Sequence, residues 1–454
     1  MADLPATTDA RRLAWHVLTA VEDGGFADAA LGEQLRNARL APRDRHLATQ
    51  LVYGTLAWQG LLDGAIARGG RNPRQLDPPL RTLLRLALFQ LVRLDRVPDF
   101  AAVDTAVELA KEFKRGAGSG LVNALLRRFL RDGKRLDVPP RGADLAAHLA
   151  VALSHPHWLV ERWIDELGAG EAEALLAANN TAAPTVVRVN RRRTNPAQLT
   201  ELLAAGGIRA RPAVYADDAL IIEPGGDPLA LPGYREGWYA LQGEASQLVV
   251  AVLDPQPGAR VLDVCAAPGG KATAAAERAA DGLVVAVDRS GRGLRLGRRV
   301  AARLGLANVV AVRGDARTLP LAADWRADAV LVDAPCSGLG TLRQHPEIKW
   351  RRSPADLAAL AALQAELLSA AAARVAPGGV LVYATCTIST IENAGVVAGF
   401  LAAHRDFGLD DPRPFLPSAA RSLIDADGFL RTFPHRDGLD GFFAARLKRA
   451  AHAG

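Results

Sequence analysis

Cysteine is scarce: the chain has three in 454 residues, an odd number in a long sequence. That excludes a disulfide scaffold, and reduced thiols point to a cytoplasmic protein. No uninterrupted apolar run is long enough to cross a bilayer, so no membrane segment is expected. The opening Met-Ala-Asp-Leu-Pro has neither a basic start nor an apolar core, and no signal peptide is expected. Cys-x-x-Cys is missing, and no histidine pairs with a cysteine by spacing, so no metal site is expected. The phosphate-binding Gly-x-Gly-x-x-Gly is missing too. A nucleoside without a pyrophosphate is therefore a better ligand than a dinucleotide.

Other features are plentiful. Hydrophobic residues make up 49% and charged residues 23%, which rules out wholesale disorder. At roughly 100–200 residues per domain, the length implies two to four domains. The net charge of +6 is uneven. Up to Pro140 there are 21 Lys+Arg against 16 Asp+Glu, and the remainder has 34 against 33. Six of the 55 basic residues are lysines and the rest are arginines, whose planar fork suits phosphate and stacks on bases. The excess fits a nucleic-acid partner, and equally a solvated arginine-rich surface.

The first third reads as helices. Leu13, Val17, Ala20 and Val21 share one face. Leu80, Leu83, Leu84, Ala87, Leu88 and Leu91 repeat at helical spacing, with Arg81, Arg85 and Arg93 off the stripe. Val103 to Ala110 and Leu121 to Phe129 repeat it, with turn signals at 68–70, 77–79 and 116–120. These stripes are most simply a bundle core. Pro-Pro-Arg-Gly at 139–142 marks a domain boundary. A mixed segment follows, with a helix opening at His155 and a strand at Thr185–Asn190. That strand runs into Arg191-Arg192-Arg193, a candidate phosphate contact whose plainer reading is a solvated loop.

From Trp238 the pattern becomes strand, loop, helix. Arg260–Val264, Leu283–Asp288, Val309–Val312, Ala329–Asp333 and Val380–Tyr383 are apolar on both faces, as buried parallel strands are. A helix over 354–376 begins with Ser353 as N-cap and Pro354 at its first position. Late strands near Phe429–Phe433 and Phe442–Leu447 read as a hairpin closing the sheet edge. The expected architecture is an α/β Rossmann-like domain, preceded by an all-α domain and a small mixed α/β domain. The boundaries are 1–140, 141–236 and 237–449.

Ligands of such sheets bind at the carboxyl ends of the strands, and those ends carry the chemistry. The first gives Cys265-Ala266-Ala267-Pro268-Gly269-Gly270-Lys271, whose paired glycines open a helix toward an anionic group. The second ends in Asp288, placed to grip ribose hydroxyls, and the third in Arg313-Gly-Asp315. The fourth ends in Asp333-Ala-Pro-Cys336 and the fifth in Ala384-Thr-Cys386. All three cysteines thus fall at strand ends on one edge. A thiolate there can add to an electron-poor ring carbon, although a cysteine is more commonly a small buried hydrophobe.

These loops, with His345-Pro-Glu-Ile-Lys-Trp350 and Gln242-Gly-Glu-Ala-Ser-Gln247, resemble the Nop2/Sun (Fmu-type) RNA cytosine-C5 methyltransferases from Trp238 to Leu447. Asp44-Arg45, Leu51–Thr55, Val103–Lys111 and Val122–Arg128 resemble the NusB-type RNA-binding domain, and His155–Trp163 and Arg188–Asn190 the connecting domain. The fusion is the arrangement of bacterial small-subunit ribosomal RNA methyltransferases. The resemblance implies S-adenosylmethionine as methyl donor and 16S ribosomal RNA as substrate. It implies that Cys265 to Lys271 wrap the donor's amino-acid end, that Asp288 binds its ribose, and that Asp315 lies near its adenine. Asp333 and Lys271 serve both donor and target base. It makes Cys386 the nucleophile and Cys336 the residue that assists release. DNA cytosine-C5 methyltransferases use the Pro-Cys thiol instead, so spacing alone does not choose. Where some members carry Pro-Glu-Glu-Asn after the nucleophile, this chain has Ser389-Thr-Ile-Glu392-Asn393. Two other readings stay open: action on another RNA such as tRNA, and a non-catalytic RNA-binding assembly factor. Nothing calls for a dimer, and a monomer is expected.

Overall fold

A computed structural model describes residues 9–112, 118–223 and 227–451. The chain forms two compact units, Met1–Ala182 with Leu342–Arg351, and Ala183–Thr341 with Arg352–Gly454. Gly116 and Ala117, which open the turn signal at 116–120, and the opening five residues lie outside the described residues.

The first unit is all helix. Its N-terminal helices are Ala10–Glu22, Ala27–Asn37, Pro42–Ala57, Gln59–Arg68, Pro78–Arg93, Asp99–Glu112 and Ser119–Arg131. Pro78–Arg93 shows why they form. Two prolines occupy its first turn, where no N–H is needed. The stripe Leu80, Leu83, Leu84, Ala87, Leu88 and Leu91 is buried along its length. Each buried leucine contributes about 1.5–3 kcal/mol relative to exposure. Two expectations fail in detail. Ala20 is exposed, and the buried face of the first helix uses Ala14 and Leu18 instead. Arg85, placed off the stripe, is buried because Asp63 and Glu22 accept its guanidinium at 2.7 and 3.0 Å.

Helices Leu145–Ala152, His157–Leu167 and Ala169–Asn179 belong to this same unit. So does the strap Leu342–Arg351, which returns from far along the chain. Lys349 is buried in it and donates to the Ala57 carbonyl at 2.7 Å and Asn180 Oδ1 at 3.1 Å. Burial pushes its pKa well down. Trp350 packs on Gly60, where an added Cβ would meet the ring at 2.5 Å.

The second unit holds two sheets. The small one contains β1 (Thr185–Val189), β2 (Ala210–Pro212), β3 (Ala219–Ile222) and β4 (Tyr239–Leu241), in the antiparallel order β2-β3-β1-β4. The large one contains β5 (Arg260–Val264), β6 (Leu283–Asp288), β7 (Val309–Arg313), β8 (Ala327–Asp333), β9 (Val375–Thr385), β10 (Phe407–Leu409) and β12 (Phe442–Arg449), with β11 (Leu430–Thr432) paired to β12. Its order is β7-β6-β5-β8-β9-β12-β10, and β5 to β9 run parallel. Helices Gly270–Arg278, Gly291–Leu304 and Pro354–Ala372 make crossovers. The strand order reverses between β5 and β8. The carboxyl ends of those two strands therefore border the crevice where such sheets take ligands.

The Rossmann-like architecture agrees with the sequence, with two corrections. The late hairpin exists, but β12 lies between β9 and β10, so the three-residue β10 is the edge strand. The helix starting at Pro354 ends at Ala372, because Val375 already pairs with Ala327 as the start of β9. That helix is the one, among the described residues, long and apolar enough to cross a membrane by length and composition. Its capping box of Ser353 and Asp356 and its buried Leu357, Leu367 and Leu368 suit a crossover packed on a sheet.

Candidate active site

The site is built from the β5 end outward. Cys265 takes a left-handed φ of 66°, and Gly269 one of 103°. A Cβ on Gly269 would stand 2.9 Å from the Gly297 Cα, so only glycine fits that close approach. The helix beginning at Gly270 thus presents its free N–H groups beside the loop.

Asp288 ends β6. Its carboxylate accepts from the Ala267 N–H at 2.9 Å and the Ser290 N–H at 2.6 Å, which ties the Cys265 loop to the next strand end. The register of β6 with β7 pairs Asp288 with Arg313, two residues before Asp315. Asp315 accepts from Arg317 through Nη2 at 2.8 Å and the backbone N–H at 3.0 Å. Those hydrogen bonds hold its carboxyl far below the usual carboxylate range. Asp315 therefore meets any ligand as half of an arginine pair.

Lys271, one residue into the helix, donates to Asp333 at the end of β8 at 2.7 Å. This bridge crosses the point where the strand order reverses. Burial opposes the ammonium, but Asp333 beside it leaves the Lys271 pKa raised.

Cys336 and Cys386 lie 50 residues apart in sequence, and their sulfurs are 3.3 Å apart. The pairing of Asp333 with Ala384 explains why, since each cysteine follows that pair by two or three residues. The hydrogen bond from the Cys336 thiol pulls the Cys386 pKa down against burial and Asp333, and Lys271 adds to the pull. The same hydrogen bond, with burial, pushes Cys336 well up. Of the two thiols, Cys386 is the one drawn toward the thiolate and Cys336 the one held away from it. Cys265 stays apart from this pair, and burial lifts its thiol to about 12.

Two residues were given no role in the site by the sequence reading. Asp263 is buried in β5 and, among the described residues, neither oxygen has a hydrogen-bond partner. Burial first, and then the Asp333 charge, raise its carboxyl well above the ordinary value. An acidic residue among hydrophobic strand neighbours was the available signal. Arg188 of β1 is buried as well. It grips Glu277 at 2.8 Å, the Gly270 carbonyl at 3.1 Å and Thr273 at 3.2 Å, so the small sheet is pinned to the helix after the glycines. In the triple arginine, Arg191 pairs with Asp218, while Arg192 and Arg193 are exposed.

The donor set fits S-adenosylmethionine. Unpaired Asp263 suits an ammonium, the N–H groups at Gly270 suit a carboxylate, and Asp288 suits vicinal hydroxyls. Among the described residues, no group of three or more His, Cys, Asp or Glu is arranged to hold a metal ion.

Comparison with known proteins bears on the same regions. The family described as 16S rRNA methyltransferase RsmB/F matches residues 250–448. The NusB family matches 8–131, and the ferredoxin-like domain of the RsmF/B-like methyltransferases matches 155–227. A probable ribosomal RNA small subunit methyltransferase B from Synechocystis is 36% identical, covering 97% of this chain and 99% of the relative. Ribosomal RNA small subunit methyltransferase B of Vibrio cholerae is 36% identical over 92% and 94%. The solved PH0851 protein superposes with a TM-score of 0.84 at 27% identity, over 98% of this chain and all of the other. A methyltransferase homologue from Pyrococcus horikoshii reaches 0.58 at 25% identity, over 67% and 99%. With full-length relatives and a glycine-rich nucleoside site agreeing, the chain belongs to the 16S rRNA methyltransferase RsmB/F family and is an S-adenosylmethionine-dependent methyltransferase.

Proposed function

We propose that the protein methylates C5 of a cytosine in 16S ribosomal RNA, with Cys386 as covalent nucleophile and Cys336 as the release residue. The observation that carries this is the 3.3 Å approach of the two sulfurs beside the Lys271–Asp333 bridge. The family and its relatives support ribosomal RNA as the substrate class. NusB-type helices within 1–140 and the 141–236 segment hold the RNA, and 237–449 performs the chemistry.

S-adenosylmethionine, when bound, supplies an electrophilic methyl group. Cys265 to Lys271 hold its amino-acid end, with Asp288 at the ribose, Asp315 near the adenine and Asp333 between donor and base. The protein's own task is to make C5 nucleophilic. Cys386 thiolate bonds to C6, and the C5–C6 electron pair moves toward C5. A proton near N3, with Asp333 as hydrogen-bonding partner and Lys271 holding Asp333, favours that addition. Once C5 carries the methyl group, its proton leaves to solvent, and the Cys336 thiol donates a hydrogen bond to the departing Cys386 sulfur. The Cys386–C6 bond then breaks, and aromaticity returns. The lowered pKa of Cys386 and raised pKa of Cys336 support this division of labour over the reverse one. The target base must leave its stack, which favours exposed loops of RNA.

Covalent trapping tests the proposal. Wild type, Cys336→Ala and Cys386→Ala are incubated with 16S RNA and S-adenosylmethionine and run on denaturing gels. An adduct that accumulates only in Cys336→Ala is expected. Accumulation only in Cys386→Ala would reverse the two roles. No adduct together with no methyl transfer by wild type would overturn the substrate assignment.

A further inference from the structure

Glu392 and Asn393 follow the nucleophile loop, and the chemistry above gives them no task. Both are buried. Glu392 Oε1 accepts from the Ser337 N–H at 2.8 Å and from Gln364 Nε2 at 3.1 Å, and Oε2 from the Thr387 hydroxyl at 3.4 Å. Ser337 is the residue after Cys336, and Thr387 the residue after Cys386. Their hydroxyls also meet each other at 2.8 Å, and the Gly340 N–H donates to the Cys386 carbonyl at 3.0 Å. Gln364 extends the arrangement by donating to the Pro335 carbonyl at 3.0 Å, just before Cys336. Tyr383, in β9, donates to Gln364 Oε1 at 3.1 Å and to the Glu392 carbonyl at 2.5 Å. Asn393 holds the other side, taking the Thr385 hydroxyl at 2.6 Å and donating to the Thr387 carbonyl at 2.9 Å.

One carboxylate therefore touches the neighbour of each cysteine. A buried carboxylate with three donors is a satisfied group, and on that ground alone it would only stabilise the fold. Its partners argue for more. Two of them, Ser337 and Thr387, sit on the two short loops whose spacing sets the sulfur separation, and the third, Gln364, reaches from the helix Pro354–Ala372 to the Pro335 carbonyl as well. We propose that Glu392 is a positioning residue that clamps the Cys336 loop onto the Cys386 loop and so sets the approach of the two sulfurs. The catalytic consequence rests on the function proposed above. Without the clamp, Cys386 still bonds C6, but Cys336 no longer stands where release needs it. Beyond the hydrogen bond to Cys386 and burial, the Glu392 charge also helps keep the Cys336 thiol protonated.

The test reads the sulfur separation directly, with no RNA or methyl donor. Diamide accepts two electrons and the two thiol hydrogens as a Cys336–Cys386 disulfide forms, becoming the hydrazine. Its rate is followed by peptide mass spectrometry in wild type, Glu392→Ala and Glu392→Gln. Glu392→Ala should slow disulfide formation by about tenfold or more, since a misplacement near 1 Å can cost about a hundredfold in an oriented reaction. Glu392→Gln keeps an acceptor for Ser337 and should stay within about threefold of wild type by the same reasoning. Folded Glu392→Ala reacting at the wild-type rate would overturn the proposal, and so would equal slowing in Glu392→Gln. If Glu392→Ala does not fold, Thr387→Val removes the hydroxyl that Glu392 and Ser337 share, and the same slowing is expected. An unchanged rate in that variant overturns the clamp. With RNA and S-adenosylmethionine added, Glu392→Ala should accumulate the covalent adduct. A slowed disulfide with no adduct in any variant would leave the clamp standing and count against the catalytic reading alone.

Discussion

Lys271 and Asp333 meet at 2.7 Å across the point where the strand order of the large sheet reverses, one from the first turn of the helix after β5 and the other from the end of β8. The bridge puts a cation and a carboxylate beside Cys386, and the cation lowers the thiol pKa while the carboxylate opposes it. Lys271→Met removes the cation and keeps most of the bulk. The alkaline shift of Cys386 alkylation by iodoacetamide, mapped by mass spectrometry, is the first expected effect. Methyl transfer should fall by about a hundredfold or more, as for loss of a group that assists proton movement. An unmoved alkylation profile would separate Lys271 from the thiol.

The sulfur pair makes a second prediction about pH. The ordinary cysteine value is 9.0, with Cys386 below it and Cys336 well above it. Methyl transfer should rise as Cys386 loses its proton below that value and fall as Cys336 loses its own above it. Cys336→Ala removes the donor that stabilises the Cys386 thiolate. The acid limb of Cys386 alkylation should therefore move to higher pH in that variant. A shift to lower pH would mean that Cys386 was not the acceptor.

Arg188 offers a test of stability. Its guanidinium and Glu277 are nearly buried, at 5% and 8% side-chain exposure. Arg188→Ala leaves that carboxylate without its cation and should cost about 3–5 kcal/mol in urea denaturation. Burial already pushes Glu277 upward in pKa, and losing Arg188 adds to that. The double variant Arg188→Ala, Glu277→Ala should recover part of the loss. A double variant no more stable than the single would argue against coupling between the two.

Gly269 gives a prediction about the methyl donor. Gly269→Ala puts a Cβ 2.9 Å from Gly297 on a backbone at φ 103°. Strain of that kind costs about 1–3 kcal/mol. Isothermal titration with S-adenosylmethionine should show binding weakened by about tenfold or more, because the loop must shift. Unchanged affinity would mean that the loop does not hold the donor.

Much of this was readable beforehand, for physical reasons. β5 and β6 were legible residue for residue because a strand buried on both faces is a mostly apolar run, broken in β5 by Asp263 alone between Arg260 and Val264. The start of the helix at Pro354 was legible from the Ser353 cap. Its end was not, since an alanine-rich helix has no strong period to lose. β10 was invisible because three residues leave no pattern. Arg85 was read as lying off the apolar stripe, and only the positions of Asp63 and Glu22 in space make it an interior residue. The loops of Cys336 and Cys386 were recognisable by motif, but the meeting of the two sulfurs depends on the register of β8 with β9.

The strap Leu342–Arg351 has a consequence for how this protein can be taken apart. It leaves the loop of Cys336 after Thr341 and rejoins the chain at Arg352, whose guanidinium donates to the Ser337 carbonyl at 2.9 Å. Its Lys349 and Trp350 are satisfied by Ala57, Asn180 and Leu56, all of which precede Ala183. A fragment beginning at Ala183 would keep the lysine and the tryptophan while losing every one of those partners. The helical unit thus draws its last segment from far along the chain, beyond the loop of Cys336, and no single contiguous stretch of sequence contains it.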